Sequence, residues 1–330
     1  MLVLGLESTC DETACAIVRD GREIISETIS SQIDLHAEYG GVVPELACRR
    51  HIDVIIPVLD ETLSKASLSL SDIDLFAVAQ GPGLIGALLI GINAAKALSL
   101  ALNKPLVGVN HIEAHLYAAL MSQNEPISFP CLGVVLSGGH TSLFLMQDFN
   151  TYTIIGQTVD DAVGEAFDKV AKILDLPYPG GPHIEALARQ GNPSAYAFRS
   201  GQIKGRPLDF SFSGLKTAVL YAVRGKEALT ASDKHNISAS FQHAAFSDII
   251  NKTLLAAKQY DCRTLLFGGG VTNNQHLRTM FTSAAPELKL LWPSCGLSLD
   301  NAAMIAGLGY YNYLKKGFCG DSLNMEAFTR

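Results

Sequence analysis

The stretch Glu7-Ser-Thr-Cys-Asp-Glu-Thr13 separates two short apolar segments, Leu2 to Leu6 and Ala14 to Val18. Apolar runs of this length on either side of a turn of small, hydroxyl and acidic residues are typical of a β-hairpin. A third strand is predicted at Glu23 to Ile29. The chain therefore opens with three consecutive strands, and the first turn carries polar side chains.

The same arrangement recurs near the middle of the chain. Cys131 to Leu136 and Ser142 to Met146 are predicted strands, Ser137-Gly-Gly-His-Thr141 is the turn between them, and Tyr152 to Gly156 is the third strand. Helices and a further strand follow each group of strands. One plan used twice predicts an α/β protein with two duplicated lobes and a central cleft between the turns, where open α/β sheets bind ligands.

The remaining elements are predicted from apolar periodicity and from the positions of proline and glycine. The predicted helices lie at about Pro44–Lys65, Gly83–Ala101, Asp160–Leu174, Pro182–Gln190, Ser213–Arg224, Asp233–Tyr260, Asn274–Ala284 and Asp300–Lys315. The predicted strands lie at Ile73–Ala79, Arg263–Phe267 and Lys289–Trp292, and the longest predicted loop is Gly191–Asp209. We expect residues 1–128 plus about 306–330 to form an N-terminal lobe and residues 129–305 to form a C-terminal lobe.

The composition indicates a compact α/β enzyme. Of 330 residues, 48% are hydrophobic and 17% are charged, which allows about two domains and excludes a disordered chain. The net charge of −7 argues against strong binding of nucleic acid by this chain alone, because phosphate contacts need a basic surface. The 7 cysteines lack zinc-finger spacing and predict reduced thiols. Without a signal-peptide pattern or an uninterrupted membrane-spanning run, we expect a soluble, cytoplasmic protein and no membrane partner.

A histidine pair follows the apolar stretch Pro105 to Val109, in the sequence Val109-Asn-His-Ile-Glu-Ala-His115. Side chains four residues apart share one face of a helix, so the two imidazoles can converge on a metal ion, zinc or ferrous iron rather than calcium or magnesium. The alternative is one buried histidine bonded to a backbone carbonyl and one on the surface. Glu113 does not directly follow the first histidine, as the H-E-x-x-H proteases require, which disfavours such a protease.

Three turns are rich in glycine: Ser137–Thr141, Pro179-Gly-Gly-Pro182 and Gly268-Gly-Gly-Val271. Such turns let backbone N–H groups approach a phosphate or a nucleoside, although a tight turn without a ligand is the alternative for each one. None matches a Walker A loop or a Rossmann fingerprint. The set favours a nucleotide site of the actin-like ATPase type, in which hairpin turns hold the phosphates.

Taken in order, these motifs resemble the TsaD family, whose members take part in forming threonylcarbamoyladenosine in tRNA. The matching stretches cover nearly the whole chain: Glu7-Ser-Thr-Cys-Asp-Glu-Thr13, His36-Ala-Glu-Tyr-Gly-Gly-Val-Val-Pro-Glu45, Val109–His115, Ser137–Thr141, Gly164-Glu-Ala-Phe-Asp-Lys169, Tyr178–Pro182, Asp209-Phe-Ser-Phe-Ser-Gly-Leu-Lys216, Gly268–Val271 and Asp300-Asn-Ala-Ala-Met-Ile-Ala306. The resemblance implies a two-lobed actin-like ATPase (ASKHA) fold. It also implies transfer of the threonylcarbamoyl group from threonylcarbamoyl-AMP to the exocyclic amine of the adenosine next to the anticodon, in tRNAs that read ANN codons.

The family pattern also implies roles for individual residues. His111, His115 and Asp300 would hold one Fe²⁺ or Zn²⁺ ion per subunit at the lobe interface, and Asp11 and Glu12 would act as catalytic residues in the first turn. The substrate, or an ATP- or ADP-like nucleotide, would contact Leu136, Ser137, Gly138, Gly139, His140, Asp168, Gly181, Glu185 and Asn274.

Asp300 begins a predicted helix, so its alternative role is that of an N-cap residue. Just before it, Ser298 and Leu299 stand where the family often has cysteine and threonine, which affects the contacts around the metal. The implied partners are tRNA, a paralogous TsaB-like subunit and a TsaE-like ATPase. The paralogue is expected on the helical face formed by Pro44–Lys65 and Gly83–Ala101, and the chain alone is expected to modify tRNA poorly.

Three other functions remain as alternatives. An actin-like small-molecule kinase needs an acceptor pocket with a general base and has no use for the histidine pair. A metallopeptidase needs a general base beside the metal, and Glu113 is expected on the other side of the helix. A non-catalytic partner subunit would not need the full set of His111, His115 and Asp300.

Overall fold

The computed structural model describes residues 1–121, 123, 127–148, 151–226, 228–294 and 296–329. The chain divides into two compact units, the first formed by residues 1–124 and 293–330 and the second by residues 125–292. The C-terminal segment that returns to the first unit begins at residue 293, whereas the sequence placed that return at about residue 306. Asp300 therefore lies in the same unit as the histidine pair.

The first unit contains a sheet in which a β-meander continues into parallel strands. Its strands are β1 (Leu2–Glu7), β2 (Glu12–Arg19), β3 (Glu23–Ser31), β4 (Leu75–Gly81) and β5 (Leu106–Asn110). The strand order is β3-β2-β1-β4-β5; β1 pairs antiparallel with β2 and parallel with β4. The hairpin predicted around Glu7–Thr13 is confirmed by the pairing of Glu7 with Ala14.

The second unit contains a sheet of the same topology. Its strands are β6 (Cys131–Leu136), β7 (Thr141–Asp148), β8 (Thr151–Gln157), β9 (Thr264–Gly268) and β10 (Lys289–Leu291). The order β10-β9-β6-β7-β8 repeats that of the first sheet, with an antiparallel β6–β7 hairpin and a parallel β6–β9 pair. The predicted duplication is confirmed at the level of strand order and direction.

Helices pack on these sheets. The first unit contains α1 (Ile33–Ala37), α2 (Pro44–Ala66), α3 (Ile85–Leu102), α4 (His111–Met121) and α10 (Ala302–Lys315). The second contains α5 (Val163–Ile173), α6 (Gly180–Ala188), α7 (Ser213–Val223), α8 (Ala231–Gln259) and α9 (Gln275–Ala284). The sequence missed the short α1, which has only one buried residue, His36, and therefore shows no apolar periodicity.

Helix α5 begins three residues later than the predicted start at Asp160, because the Asp160 carboxylate is bonded elsewhere. It accepts hydrogen bonds from the backbone N–H groups of Phe212 and Ser213 and from the hydroxyl groups of Ser211 and Ser213. Burial raises the pKa of Asp160, but these bonds outweigh burial and hold it below its usual value. Asp160 thus closes the N-terminal end of α7.

Each unit has its own apolar core. Leu4, Ile17 and Phe76 lie in the first, and Phe167, Phe241 and Phe267 lie in the second. Among the described residues, α3 is the one helix long and apolar enough to cross a membrane by length and composition, and in this structure it packs on α2 and β4. The cysteines of the described residues, which exclude Cys295, are free thiols, in line with the expected reduced state.

Candidate active site

The histidine pair is placed by the junction of β5 and α4. Asn110 ends β5, and its side-chain oxygen accepts hydrogen bonds from the N–H groups of Ile112 at 2.9 Å and Glu113 at 3.2 Å. This cap starts α4 at His111, so His111 and His115 occupy successive turns on one face. Their ring centroids are 4.6 Å apart, and both side chains are buried.

Asp300 is placed by the start of α10. The side chain of Asn301 accepts the N–H of Met304 at 2.8 Å, so Asn301 is the N-cap and the alternative role of Asp300 as a cap is wrong. From β3, Glu27 Oε1 accepts the N–H groups of Ala302 and Ala303 at 3.1 and 3.0 Å. The first two residues of α10 are thereby bonded to the sheet.

Glycine in β1 allows this approach. A Cβ atom at Gly5 would lie 2.5 Å from the carbonyl oxygen of Ala302 and 2.7 Å from the backbone nitrogen of Ala306. Any larger residue would therefore push the start of α10 away from the sheet. The position of Asp300 therefore depends on Gly5 and Glu27. No local sequence pattern marks either residue as part of the site.

His111, His115 and Asp300 converge. Oδ1 of Asp300 lies 3.1 Å from Nε2 of His115 and 3.6 Å from Nε2 of His111. Two ligands at about 2.1 Å from a tetrahedral ion are about 3.4 Å apart, so these separations suit a shared metal ion. His115 is 1% exposed, and neither of its ring nitrogens has a hydrogen-bond partner in the described part of the chain. Buried, unsatisfied imidazole nitrogens beside a carboxylate are what a metal site needs.

Glu7 orients the first histidine. One of its carboxylate oxygens lies 2.9 Å from Nδ1 of His111, and the other accepts the N–H of Thr9 at 2.6 Å. A proton on Nδ1 that is donated to Glu7 leaves Nε2 with a lone pair directed at the metal site. Glu7 is 0% exposed, and its carboxylate is accounted for by these two contacts. A signal for this role is present in the sequence, because a carboxylate at the buried end of a strand needs a partner.

The charges of this group perturb its acid–base behaviour. Burial lowers the pKa of His111, but the charges of Glu7 and Asp300 outweigh burial and raise it to about 9. Burial, together with the charges of Asp300 and Asp11, raises the pKa of Glu12 to about 10. Both shifts reflect an excess of carboxylates in a buried place, which a bound cation would relieve.

The acidic turn that carries Asp11 and Glu12 is held by His51 of α2. Nδ1 of His51 accepts the hydroxyl of Thr13 at 2.7 Å, and Nε2 donates to the carbonyl of Cys10 at 3.0 Å. Burial lowers the pKa of His51, so the ring stays neutral and can make both bonds. Within the first unit, Glu12 therefore lies in electrostatic range of both Asp300 and Asp11.

The Ser137 turn in the second unit is open. Ser137 N–H donates to the carbonyl of His140 at 2.8 Å, and His140 N–H donates to the hydroxyl of Ser137 at 3.0 Å. Gly138 and Gly139 are exposed, and a Cβ atom on either would meet no described atom within 4 Å. Leu136, which precedes this turn, is buried as the last residue of β6. The turn leaves backbone groups accessible to a ligand.

Gly269 supports this turn from behind. Its φ is +90°, and an added Cβ would lie 2.4 Å from the carbonyl oxygen of Leu136. The start of α5 packs there too, because a Cβ on Gly164 would lie 2.7 Å from the carbonyl oxygen of Ser137. The fold itself therefore requires glycine at Gly269, whatever the ligand.

The remaining residues that were predicted to contact a nucleotide lie on α5 and α6 and at the start of α9 in the second unit. Asp168 Oδ1 accepts the N–H of Gly180 at 2.7 Å at the start of α6, where Gly181 is open to an approaching group. Glu185 accepts the N–H of Gln275 at 3.0 Å, and Asn274 caps α9. The side-chain amide of Asn274 also donates a hydrogen bond to Gln242 at 2.8 Å, so Asn274 stabilises the fold whether or not it contacts a ligand. Within the second unit, these contacts join Asp168 to the start of α6 and Glu185 to the start of α9.

Comparison with known proteins agrees with these motifs. The family model of TsaD, described as tRNA N6-adenosine threonylcarbamoyltransferase, matches residues 23–307. The tRNA N6-adenosine threonylcarbamoyltransferase of Protochlamydia amoebophila (strain UWE25) is 66% identical over 336 aligned residues, which cover 100% of this chain and 98% of that protein. The enzyme of the same name from Chlamydia abortus (strain DSM 27085 / S26/3) is 52% identical over 324 residues, covering 96% and 93%.

Solved structures agree at the level of the fold. HypF from T. kodakarensis has a TM-score of 0.65 at 14% identity, covering 98% of this chain and 48% of that chain. Together with the two sheets of equal topology, this likeness supports the actin-like α/β architecture that the sequence predicted. The match of the family model and the identity to full-length relatives then decide the family. This chain belongs to the TsaD family of tRNA N6-adenosine threonylcarbamoyltransferases.

Proposed function

We propose that this chain transfers the threonylcarbamoyl group from threonylcarbamoyl-AMP to N6 of the adenosine next to the anticodon, in tRNAs that read ANN codons. The observation that carries the proposal is the convergence of His111, His115 and Asp300 in a chain that matches its relatives over their full length. In the reaction, the N6 lone pair forms a bond to the carbamoyl carbon, the bond from that carbon to the phosphate oxygen breaks, and N6 loses one proton. AMP is the leaving group.

One Fe²⁺ or Zn²⁺ ion fits His111, His115 and Asp300. Two imidazoles and one carboxylate leave open coordination positions, which is typical of a catalytic rather than a structural site. When bound, such an ion supplies Lewis-acid polarisation and stabilises negative charge on oxygen. The protein fixes the ligands beforehand, through Glu7 on His111 and through Glu27 and Asn301 at the start of α10.

Asp11 and Glu12 are assigned to the transfer of the proton that N6 releases. The raised pKa of Glu12 keeps its proton in place at neutral pH, so Glu12 can donate a hydrogen bond to a neighbouring carboxylate. We assign the carboxylate of Asp11 as the proton acceptor and the protonated Glu12 as the group that orients it. An adenine amine is a weak nucleophile, so positioning contributes more than base strength.

The Ser137 turn and the starts of α6 and α9 hold the AMP part of the donor. Exposed backbone N–H groups at Gly138 and Gly139 suit phosphate oxygens, and Asp168, Glu185 and Asn274 suit the ribose and base. An ATP- or ADP-like nucleotide would use the same groups. This assignment is supported by the open space at Gly138, Gly139 and Gly181.

A paralogous TsaB-like subunit is proposed to dock on α2 and α3, and a TsaE-like ATPase to complete the machinery in the cytoplasm. Helices α2 and α3 pack side by side and expose Ile52 and Ile56 on one and Ile85 and Leu89 on the other. Pairs of exposed isoleucine and leucine side chains at helical spacing on adjacent helices favour a helical partner. The net charge of −7 fits a chain that needs such partners to bind tRNA well.

A labelled-threonine assay tests the proposal. Threonylcarbamoyl-AMP made with labelled threonine is incubated with total tRNA, the chain and the accessory proteins, and label in nucleosides is measured. We expect label on adenosine with the natural chain, loss of label with His115→Ala, and unchanged label with His235→Ala, which removes a histidine from α8. ADP release from ATP with small acceptors, without labelling of tRNA, would instead identify a kinase and refute the proposal.

A further inference from the structure

A groove of about 400 Å³ runs along α8 in the second unit. One wall is the loop that contains Tyr196, Phe198 and Arg199, and the other is the face of α8 that presents Ser240, Ser247 and Asn251. The residues of α8 that line the groove are Ser240, His243, Ala244, Ser247, Asp248 and Asn251. Their i, i+3, i+4 spacing places them on one face of the helix. None of the residues to which a metal or nucleotide role was assigned above lines this groove.

The loop wall is held in a fixed position, because hydrogen bonds join it to α8 at several points. Asn192 N–H donates to the side chain of Asn236 at 2.9 Å, and Tyr196 N–H donates to the hydroxyl of Ser240 at 3.1 Å. Farther along, the amide of Gln202 donates to Asp248 at 3.1 Å. These bonds hold the groove in shape without a ligand, which reduces the entropic cost of binding one.

The chemistry of the walls suits a flat, polar, anionic ligand. The rings of Tyr196 and Phe198 are stacked, with centroids 5.4 Å apart and planes 7° from parallel, and both keep part of their surface accessible. Arg199 is exposed and makes no ion pair with the described residues. The hydroxyl of Ser200 is buried without a hydrogen-bond partner in the described part of the chain.

The local charge is positive although the chain is acidic. Residues 196–206 include Arg199, Lys204 and Arg206 and no acidic residue, against a net charge of −7 for the whole chain. Arg206 is paired with Asp209, so the local positive charge comes from Arg199 and Lys204. Among the described residues that line the groove, the carboxylate is that of Asp248, which is neutralised by Lys252, whose amino group lies 2.8 Å away. Stacked aromatic rings beside unpaired arginine are the elements with which proteins bind unpaired nucleotides.

From these features we infer that the groove binds an unpaired nucleotide of the RNA substrate, with its base on the Tyr196–Phe198 rings and its phosphate near Arg199. The inference rests on the proposed function for the identity of the RNA. The exposed side chain of Asn251 on the α8 wall can form hydrogen bonds with the edge of this base. A nucleotide held here contributes to affinity for tRNA and takes no part in the chemical step.

The test measures binding of the anticodon stem-loop of an ANN-reading tRNA to the purified full chain by fluorescence anisotropy. Phe198→Ala is expected to weaken binding about tenfold. Arg199→Ala is expected to weaken it and to lower the salt dependence by about one counterion. Lys172→Ala, which removes an exposed charge from α5, is the control and should stay within about twofold of the natural chain.

Phe198 packs on the core of the second unit, so its variant is checked by melting temperature, and Arg199→Glu at an exposed position gives an independent reading. Stem-loop affinities of Arg199→Ala and Arg199→Glu within about twofold of the natural chain would overturn the inference, as would a loss seen equally in Lys172→Ala. The labelled-threonine transfer assay tests the proposed function independently of the groove. If the groove is right, the variants raise KM for tRNA with kcat retained. If the natural chain binds the stem-loop through the groove but transfers no label, the proposed function fails and the inference stands for RNA in general.

Discussion

Replacing Glu7 with glutamine tests whether this buried carboxylate sets the metal affinity of His111. Glutamine keeps the size of the side chain but offers one oxygen in place of two. In the structure both oxygens accept, one from Thr9 at 2.6 Å and one facing Nδ1 of His111 at 2.9 Å. In the variant, one of these N–H groups must face an NH₂ group, so the histidine loses its preferred orientation and tautomer.

The expected loss follows from the role of carboxylates behind metal-bound histidines. Removing such a partner typically lowers metal affinity about 10- to 100-fold, or about 1.4 to 2.7 kcal/mol. The buried N–H left without an acceptor costs a further 1–3 kcal/mol or so, which appears as a lower melting temperature of the metal-free chain. These two effects are measured separately.

The assay is competitive titration of the metal-free chain with Zn²⁺ against a chromophoric chelator. Because protons compete for His111, whose pKa is raised to about 9, the titrations are compared at neutral pH and at a pH of about 9. Glu27→Gln is the matched control. It removes the charge of a half-buried carboxylate of the first unit, but a single oxygen of Glu27 accepts both N–H groups of α10, which glutamine can still do.

The account predicts weakened Zn²⁺ binding in Glu7→Gln and near-natural binding in Glu27→Gln. A Glu7→Gln affinity within twofold of the natural chain at both pH values would refute the positioning role of Glu7. Equal losses of Zn²⁺ affinity in both variants would show instead that any carboxylate near α10 affects the metal site through its charge alone.

Four further predictions concern other parts of the chain. Gly138→Val should leave the melting temperature unchanged and abolish nucleotide binding in calorimetry, because its Cβ enters open space; an affinity within about threefold would make Gly138 a plain turn residue. Gly269→Ala should instead lower the stability by about 2 kcal/mol or more in urea unfolding, since its Cβ would collide with backbone at a positive φ; an unchanged midpoint would contradict this. Asp160→Ala should lower stability by about 1–2 kcal/mol at neutral pH. Because the pKa of Asp160 is lowered in the folded chain, its contribution is present above about pH 4 and lost as the pH falls, so natural chain and variant should converge in acid unfolding experiments. Ile56→Lys, at a position that is 55% exposed on α2, should reduce binding of the TsaB-like partner more than tenfold in size-exclusion and calorimetric assays, whereas Ile154→Lys on β8 should not; equal binding by both would remove α2 from the interface.

Local patterns in the sequence were sufficient for the strand plan and for the histidine pair. The turns at Glu7–Thr13 and Ser137–Thr141 are flanked by apolar runs, and hairpins of this kind are specified by neighbouring residues. The i, i+4 spacing placed both imidazoles on one face of α4 for the same reason. In both cases the pattern and the structure it specifies lie within a few residues of each other.

Contacts distant along the chain explain what the sequence did not show. The start of α10 depends on Gly5 and Glu27, nearly three hundred residues earlier, and no local signal links them. In the sequence, Asp300 stands where an N-cap residue is expected, but in the structure Asn301 caps α10. The turn Gly268–Val271 was predicted to approach a nucleotide, with a tight turn as the alternative, and the positive φ of Gly269 and the backbone behind it make this glycine a requirement of the fold. Tertiary contacts of this kind decide details that periodicity leaves open.

The most direct test of the account is nucleoside mass spectrometry of tRNA after incubation with threonylcarbamoyl-AMP, the accessory proteins and either the natural chain or Asp300→Asn. Asparagine keeps the shape of Asp300, whose carboxylate oxygen lies 3.1 Å from His115, but removes the charge that a metal ion requires. The account predicts threonylcarbamoyladenosine in ANN-reading tRNAs with the natural chain, and its loss together with the bound metal in Asp300→Asn. Full modification by a metal-free Asp300→Asn chain, or no modification by the natural chain with metal bound, would contradict it.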